Sequence, residues 1–253
     1  MKISNLTASL IAPALFAIGM AALTGCSKGG DNASADPAAA PSLSSALSPE
    51  KAKEAVAEQR RSALTKADPS TPLESYFPLK SGNELMFMYY ALSGIPPEME
   101  KIAAKYSSEY RQSSDAFRKQ DLLTALKPRI ENELEMAKTR RYFIYEIEQN
   151  LQHYDFDKKQ FPLQNGLQPD SYWYMYDNSD YKVEFTNVEP FQRLNVADET
   201  KARGIEKMVS GYKQFTLRIY AFAQDVDINS SRLKAQVVKV VLLDQQDNEL
   251  VTQ

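Results

Sequence analysis

The sequence predicts an α+β fold: N-terminal helices packed on a mainly antiparallel sheet, preceded by a disordered tether. Two changes of pattern along the 253 residues support this fold class. Between Leu85 and Ala137, apolar residues recur at three- and four-residue steps, which is helical spacing. From Tyr142 onward they alternate with polar residues, which is strand spacing. Helices followed by antiparallel strands are typical of the α+β class.

The first 25 residues have the pattern of a secretory signal. Lys2 precedes an apolar core, Leu10–Leu23, which ends shortly before the only cysteine, Cys26. A positive start, a short apolar stretch and small residues before a break are typical of export signals. The apolar core is also shorter than the roughly 20 residues that a membrane-spanning helix needs. The sequence therefore predicts an exported chain.

The residues Leu23-Thr24-Gly25-Cys26 resemble the lipobox of bacterial lipoproteins. This resemblance implies cleavage between Gly25 and Cys26 and lipidation of Cys26 by acyl chains such as palmitate. Two or more acyl chains hold a protein stably on a membrane. Ser27 stands where Asp would imply retention in the inner membrane, so we expect an outer-membrane lipoprotein that faces the periplasm. The alternatives are a cleaved signal without lipid and an uncleaved anchor.

Residues 26–48 are predicted to form a flexible tether, since Ala, Ser, Gly, Pro and Asp dominate them. Such a segment buries too little apolar surface to offset its ordering entropy. A stalk helix and linker are expected over residues 49–72, with Ser48 as the N-cap and the helix ending near Ala67. The packed body is predicted to occupy residues 73–253.

Two helices open this body. Ser81 or Asn83 is expected to cap the first helix, and Gly94 is expected to end it. The second helix is expected to begin at Pro97 and to continue through Tyr110.

A third helix follows, with Ser114-Asp115 as its cap and Pro128 as a kink or break. A long strand then starts at Tyr142 and runs to Leu151. The remaining expected elements are a hairpin of strands 171–176 and 181–187 with the turn Asp177–Asp180, a helix over 197–209, strands over 214–224 and 233–243, and a last strand over Glu249–Thr252.

Composition and motifs argue against several kinds of chemistry. The net charge of −3 leaves no basic footprint for nucleic acid. With Cys26 assigned to the anchor, His153 is the only side chain left for a His-dependent catalyst or zinc site, and we expect it to be a hydrogen-bonded residue at a strand end. The glycines of the body are isolated, and the sequence contains neither G-x-G-x-x-G nor a Walker loop, so we expect no nucleotide cofactor. We therefore predict no catalytic residues, no metal and no cofactor.

The stretch 225–231 resembles the start of a calcium-binding loop but lacks its later features. Asp225, Asp227 and Asn229 have the alternate spacing of the first ligands of an EF-hand loop. The sixth position, however, is Ser230 where Gly is needed, and the twelfth is Gln236 where Glu is needed. We expect a polar loop joining two strands.

The stretch 172–177 is the strongest candidate for a binding surface. Alternation places Trp173 and Met175 on one face of the predicted strand and Tyr172, Tyr174 and Tyr176 on the other. Tyr and Trp provide large contact areas at low entropic cost, so Tyr172, Trp173, Tyr174 and Tyr176 are candidates for contact with an envelope protein or with peptidoglycan. The competing interpretation is that one face is core and a helix covers the tyrosines.

The body resembles an uncharacterised family of bacterial lipoproteins that carry a domain of unknown function. The motifs are Tyr76-Phe77-Pro78-Leu79 with Gly82, Leu92-Ser93-Gly94-Ile95-Pro96, and Tyr154-Asp155-Phe156 followed by Phe161-Pro162-Leu163. The resemblance covers roughly residues 73–243 and implies no activity or site residue. Taken by themselves, these motifs predict extended backbone at Pro and apolar side chains in the core.

Three functions stay open. The first is a non-enzymatic interaction module, anchored to the membrane through Cys26, that binds a protein or an envelope polymer. The second is an enzyme acting on peptidoglycan or another glycan with a pair of carboxylates, of which Glu146 and Glu148 are examples on one strand face. The third is a carrier of a small molecule or lipid, with a pocket between the helices and the sheet.

Overall fold

The computed structural model describes residues 64–253. The predicted signal, Gly25 and Cys26, the tether and the stalk helix up to residue 63 lie outside the described residues. The expected helix end near Ala67 is wrong, because residues 64–67 are not helical. Their polar groups bond to the sheet instead: Ala67 N donates to Gln236 Oε1 at 2.9 Å, and Gln224 Nε2 donates to Thr65 O at 3.0 Å.

Between residues 64 and 253, nine strands form one sheet and five α-helices accompany it. None of these helices has the length and apolar character needed to cross a membrane. The elements in chain order are β1 (Phe77–Pro78), α1 (Gly82–Ser93), α2 (Met99–Tyr106), α3 (Ser108–Gln112), α4 (Ala116–Thr139), β2 (Tyr142–Leu151), β3 (Gln160–Gln164), β4 (Tyr172–Met175), β5 (Asn178–Phe185), β6 (Arg193–Asn195), α5 (Glu199–Ser210), β7 (Phe215–Asp227), β8 (Arg232–Leu243) and β9 (Glu249–Thr252).

The sheet is mainly antiparallel, as the α+β prediction requires. Its strand order is β4-β5-β8-β7-β2-β3-β6, with β1 beside β2 and β9 beside β8. Only the β1–β2 and β5–β8 pairs in this described sheet are parallel. The helices are not all N-terminal to the sheet, since β1 precedes α1 and α5 lies between β6 and β7.

The two faces of the sheet bury different clusters. On the helix face, Phe143 and Tyr145 of β2 join the main core with α1 and α4. On the second face, Tyr76 packs with Tyr220, Val241 and Leu243 in a smaller core. The segment before β1 therefore covers part of the second face, and the helices cover the other one.

Helix α1 begins and ends where local chemistry predicts. Ser81 is its N-cap, and Ser81 and Glu84 form a capping box, in which each side chain bonds to the other residue's backbone N–H. Gly94 ends the helix in the left-handed conformation, with φ of 66°.

The second predicted helix is two helices in the structure, and the third is one. Ser107 ends α2 and its hydroxyl caps α3 by accepting from Tyr110 N, so the expectation of one helix through Tyr110 is wrong. Helix α4 begins after the cap Asp115, as predicted, and runs unbroken for 24 residues through Pro128. Burial of Leu126 and Ile130 on either side of Pro128 keeps this helix on the core.

A small arm of the sheet was not expected. Strand β2 extends beyond β7 and pairs with β3 at Asn150 and Leu151, and β3 pairs in turn with β6. Phe161 and Leu163 of β3 are buried, which confirms the inference that they fill the core. Short strands of this kind give little signal in the sequence, and Pro162 weakens it further.

The β4–β5 hairpin turns earlier than predicted. The turn is Tyr176-Asp177, and Asn178 already belongs to β5. The physical reason is a contact distant in sequence: Asn178 is buried, and its Nδ2 donates to Asn83 Oδ1 of α1 at 3.1 Å. Residues expected in the turn are thus held against the first helix.

Candidate binding surface

The three tyrosines of β4 and its turn are exposed. Tyr172, Tyr174 and Tyr176 are 43%, 44% and 96% accessible. Trp173, grouped with them as a candidate from the sequence, lies on the opposite face of the strand, where its ring packs on Phe185 at 5.3 Å between centroids. Tyr172 instead shares the second face with its cross-strand partner Glu184. The predicted alternation is present, and it assigns Trp173 to the core.

Two cations flank the ring of Tyr172. Arg232 Cζ lies 4.5 Å from the ring centroid and Lys182 Nζ lies 4.9 Å from it. Both distances are within the range of cation–π attraction. Lys182 and Arg232 are direct partners across the β5–β8 pair, so the sheet register brings them together. We call the set Tyr172, Tyr174, Tyr176, Lys182 and Arg232 the tyrosine surface.

A buried carboxylate, Glu184, holds Arg232 in position. Glu184 has a side chain only 8% exposed, and it accepts from Arg232 Nη1 and from Lys234 Nζ, each at 3.0 Å. The Nε atom of Arg232 is buried and has no hydrogen-bond partner among the described residues. The carboxylate therefore orients the guanidinium beneath the tyrosine ring.

The turn that carries Tyr176 is anchored to the N-terminus of α1. Asp177 accepts from Gly82 N at 2.9 Å and from the Ser81 hydroxyl at 2.6 Å. Burial alone would raise the pKa of Asp177, but these hydrogen bonds outweigh it and lower the pKa. Tyr176 is thus an exposed aromatic residue on a fixed backbone, which reduces the entropic cost of binding.

The geometry favours contact with protein over stacking on sugars. Sugar rings stack on an open aromatic face, whereas Arg232 and Lys182 lie over the ring of Tyr172. The rings of Tyr174 and Tyr176 meet edge to face at 80° and 5.9 Å, so they do not form one flat platform. Mixed aromatic and Arg surfaces are typical of protein–protein hot spots.

A polar groove of about 390 Å³ lies beside the tyrosine surface. Glu184 and Lys234 line it, together with Lys66 and Asp170. The segment at residues 64–67 contacts the sheet at this groove, where its backbone hydrogen-bonds to the side chains of Gln224 and Gln236. The chain leading from the N-terminus therefore joins the body next to the candidate surface.

Two other residues singled out in the sequence, His153 and Glu146, have structural partners. His153 Nδ1 lies 2.6 Å from Glu206 Oε1 just beyond the end of β2, in line with the expected hydrogen-bonded role. Glu146 lies 2.6 Å from Arg218 Nε.

The stretch 225–231 spans the end of β7, which includes Asp225 and Asp227, and the turn 228–231 that leads to β8. Asp227 bonds there to Asn229 N and to the Ser230 hydroxyl. Within residues 64–253, no group of three or more His, Cys, Asp or Glu side chains has the arrangement of a metal site.

Sequence reasoning missed the cationic part of the surface. Arg232 and Lys182 are separated by 50 positions in the chain, and only the parallel pairing of β5 with β8 makes them neighbours. Alternation along β4 is a local signal and was sufficient to place the tyrosines, whereas no local signal identifies their partners.

Comparison with known proteins gives one match. No curated protein and no solved structure matches the chain. Over residues 100–218 the chain matches a family described as a domain of unknown function, DUF4852. This match is shorter than the resemblance inferred from motifs, which covers roughly residues 73–243. It includes Tyr154-Asp155-Phe156 and Phe161-Pro162-Leu163 but not the motifs before residue 100.

Proposed function

We propose that the chain is a non-enzymatic binding module of the bacterial periplasm, held on the outer membrane by acyl chains on Cys26. In this proposal its tyrosine surface binds a protein partner. The observation that carries the proposal is the row of exposed tyrosines on an anchored hairpin, with Arg232 held by Glu184 and Lys182 close to the ring of Tyr172. The lipobox supports the anchor.

The charges specify what the partner offers. Arg232 and Lys182 lie over the ring of Tyr172, and the buried Glu184 binds Arg232. Acidic side chains next to apolar ones on the partner would complement this arrangement. Among the strands of residues 64–253, β4 has a neighbour on one side only, so its other edge offers backbone groups for pairing with an extended segment.

The anchor is tested by mass spectrometry of the processed chain. We expect the mature protein to begin at Cys26 and to carry diacylglyceryl and acyl groups. The Cys26→Ser variant is expected to leave the membrane fraction. A mature start at another residue, or an unmodified thiol at Cys26, would contradict the anchor.

The binding surface is tested by crosslinking and affinity capture from native envelopes. The variant Tyr174→Ala/Tyr176→Ala is expected to lose the partner that the wild-type chain captures. Tyr212→Ala is the matched control, because Tyr212 is 94% exposed but lies after α5, off the surface. Identical partners for the double variant and the control would overturn the assignment of this surface.

A further inference from the structure

A second candidate site lies on the arm of the sheet, where α5 faces the turn between β2 and β3. It is a cavity of about 510 Å³, within the usual range for small-molecule sites. Its lining residues are Tyr154, Phe156, Lys159, Glu199, Ala202, Arg203 and Glu206. All of them lie within the region that matches DUF4852.

One wall of the cavity is aromatic. The hydroxyl of Tyr154 donates to Val196 O at 2.7 Å, and its ring contacts Phe161 at 4.9 Å, so the ring is fixed in place. Phe156 meets Tyr154 edge to face at 5.1 Å, yet it is 80% exposed. An exposed phenylalanine at the mouth of a cavity provides apolar surface that a bound molecule would bury.

The carboxylate of Glu206 is already engaged. Its oxygens contact His153 Nδ1 at 2.6 Å, Tyr154 N at 2.9 Å and the Ser210 hydroxyl at 3.2 Å. Burial alone would raise the pKa of Glu206, but these three contacts outweigh it and lower the pKa. Glu206 therefore serves to hold the arm on α5.

The two cations of the cavity have no such partner. Among residues 64–253, neither Lys159 nor Arg203 lies within 4.0 Å of a carboxylate. Glu199 is the remaining charged residue of the lining and lies at the first position of α5. The lining thus holds two cations and two carboxylates. Because the oxygens of Glu206 are occupied by the arm, Lys159 and Arg203 are left to pair with an anionic group of a ligand.

We propose that this cavity binds a small planar aromatic molecule with one anionic group. The ring packs on Tyr154 and Phe156, and the carboxylate, sulfonate or phosphate group pairs with Arg203 and Lys159. This site is independent of the tyrosine surface.

The test uses two fluorescent probes that differ in one charge. 8-Anilinonaphthalene-1-sulfonate carries a sulfonate, and N-phenyl-1-naphthylamine is its uncharged counterpart. We expect Lys159→Ala/Arg203→Ala to weaken binding of the sulfonate about tenfold, since charge-assisted hydrogen bonds are lost. Binding of the uncharged probe is expected to change little in that variant.

Three further variants distinguish binding in this cavity from non-specific binding of the probes elsewhere on the protein. Phe156→Ala is expected to weaken both probes. Lys201→Ala removes a cation from α5 that does not line the cavity, and it is expected to leave both probes unaffected. Tyr176→Ala is also expected to leave binding of both probes unaffected, which separates this proposal from the proposed function.

The proposal is overturned if Lys159→Ala/Arg203→Ala binds the sulfonate probe as tightly as the wild-type chain does. It is also overturned if the double variant keeps the wild-type urea midpoint and Lys201→Ala weakens sulfonate binding as much as the double variant does.

Discussion

At the residue scale, Gly82 marks the contact between α1 and the hairpin. A Cβ at this position would lie 2.5 Å from Asn178 O and 2.9 Å from Asn178 Cβ. Because the obstruction includes backbone, it cannot be relieved by rotating a side chain. We expect Gly82→Ala to lower the free energy of unfolding by about 1–3 kcal/mol, measured by urea denaturation.

Gly204 provides the matched control for this prediction. It lies within α5, and a Cβ there would meet nothing within 4 Å. Alanine has the higher helix propensity, so Gly204→Ala is expected to stabilise the protein by roughly 0.5–1 kcal/mol. Equal effects of the two substitutions would show that the contact with Asn178 is not what restricts position 82.

Glu184 is the second residue whose substitution is expected to lower the free energy of unfolding by a stated amount. Glu184→Gln leaves Arg232 and Lys234 partly buried without their shared carboxylate. We expect a loss of about 1–3 kcal/mol in urea denaturation, below the usual figure for a fully buried pair because both cations retain some exposure.

Glu146→Gln is the control for the loss of an ion pair. Glu146 contacts Arg218 at 2.6 Å, but its side chain is about half exposed. Water screens this pair, so we expect a change below about 1 kcal/mol. A loss as large as that of Glu184→Gln would mean that burial does not set the difference.

At the element scale, helix α4 contains a proline in its interior. Pro128 has no N–H to donate to the carbonyl four residues earlier, and its ring crowds the preceding turn. The residue is exposed, so alanine would leave no cavity. We expect Pro128→Ala to raise the free energy of unfolding by about 1–3 kcal/mol, somewhat reduced because proline also restricts the unfolded chain.

The measurement is again urea denaturation, with Lys127→Ala as the control. Lys127 is the exposed neighbour of Pro128, and its only ion pair within the described chain is at 3.9 Å to Glu131, which contributes little. If Pro128→Ala instead destabilised the protein, the proline would be needed to fit α4 onto the core.

Elements with a local signal were predictable from the sequence. Ser81 and Asp115 begin helices through bonds to residues close in the chain, and Gly94 ends α1 through its left-handed backbone. Gly94 and Asp115 were predicted at these positions, and Ser81 was one of the two caps predicted for α1. The hairpin turn was misplaced because Asp177 and Asn178 bond to residues 95 positions away. Contacts of this range leave no periodic pattern.

The two candidate sites also differ in whether a local sequence pattern indicates them. Alternation placed the tyrosines of β4, but whether they are exposed depends on what covers the second face. The cavity was not predicted, although Glu199, Ala202, Arg203 and Glu206 repeat at helical steps along one side of α5. That stripe is largely charged, so it resembles an ordinary solvent-exposed face. Only the packing of the arm identifies it as the wall of a cavity.

At the scale of the whole molecule, two groups of ionisable residues limit the range of stable pH. The hydrogen bonds around six carboxyls lower their pKa: Asp68, Asp155, Asp177, Glu206, Asp227 and Asp244. Burial raises the pKa of five tyrosines: Tyr76, Tyr89, Tyr110, Tyr145 and Tyr181. The values for Tyr76 and Tyr145 are about 12.

The sign of each effect follows from proton linkage. A carboxyl with a lowered pKa binds fewer protons when folded, so its contribution is present above the ordinary values of 3.8 for Asp and 4.5 for Glu and is lost in acid. A tyrosine with a raised pKa keeps its proton when folded. Its contribution is present below the ordinary value of 10.0 and is lost as the pH rises toward 12.

We therefore expect the urea midpoint to fall below about pH 4.5 and again above about pH 10, with a plateau between these limits. Tyr145→Phe is expected to make the alkaline fall shallower, because it removes one buried phenol that must ionise. Tyr212→Phe, which changes an exposed tyrosine, is expected to leave the alkaline fall unchanged. Phenolate absorbance provides the independent measurement: absorbance from the buried tyrosines should rise together with unfolding. Full ionisation of all 14 tyrosines in a protein that is still folded would contradict the burial on which this prediction depends.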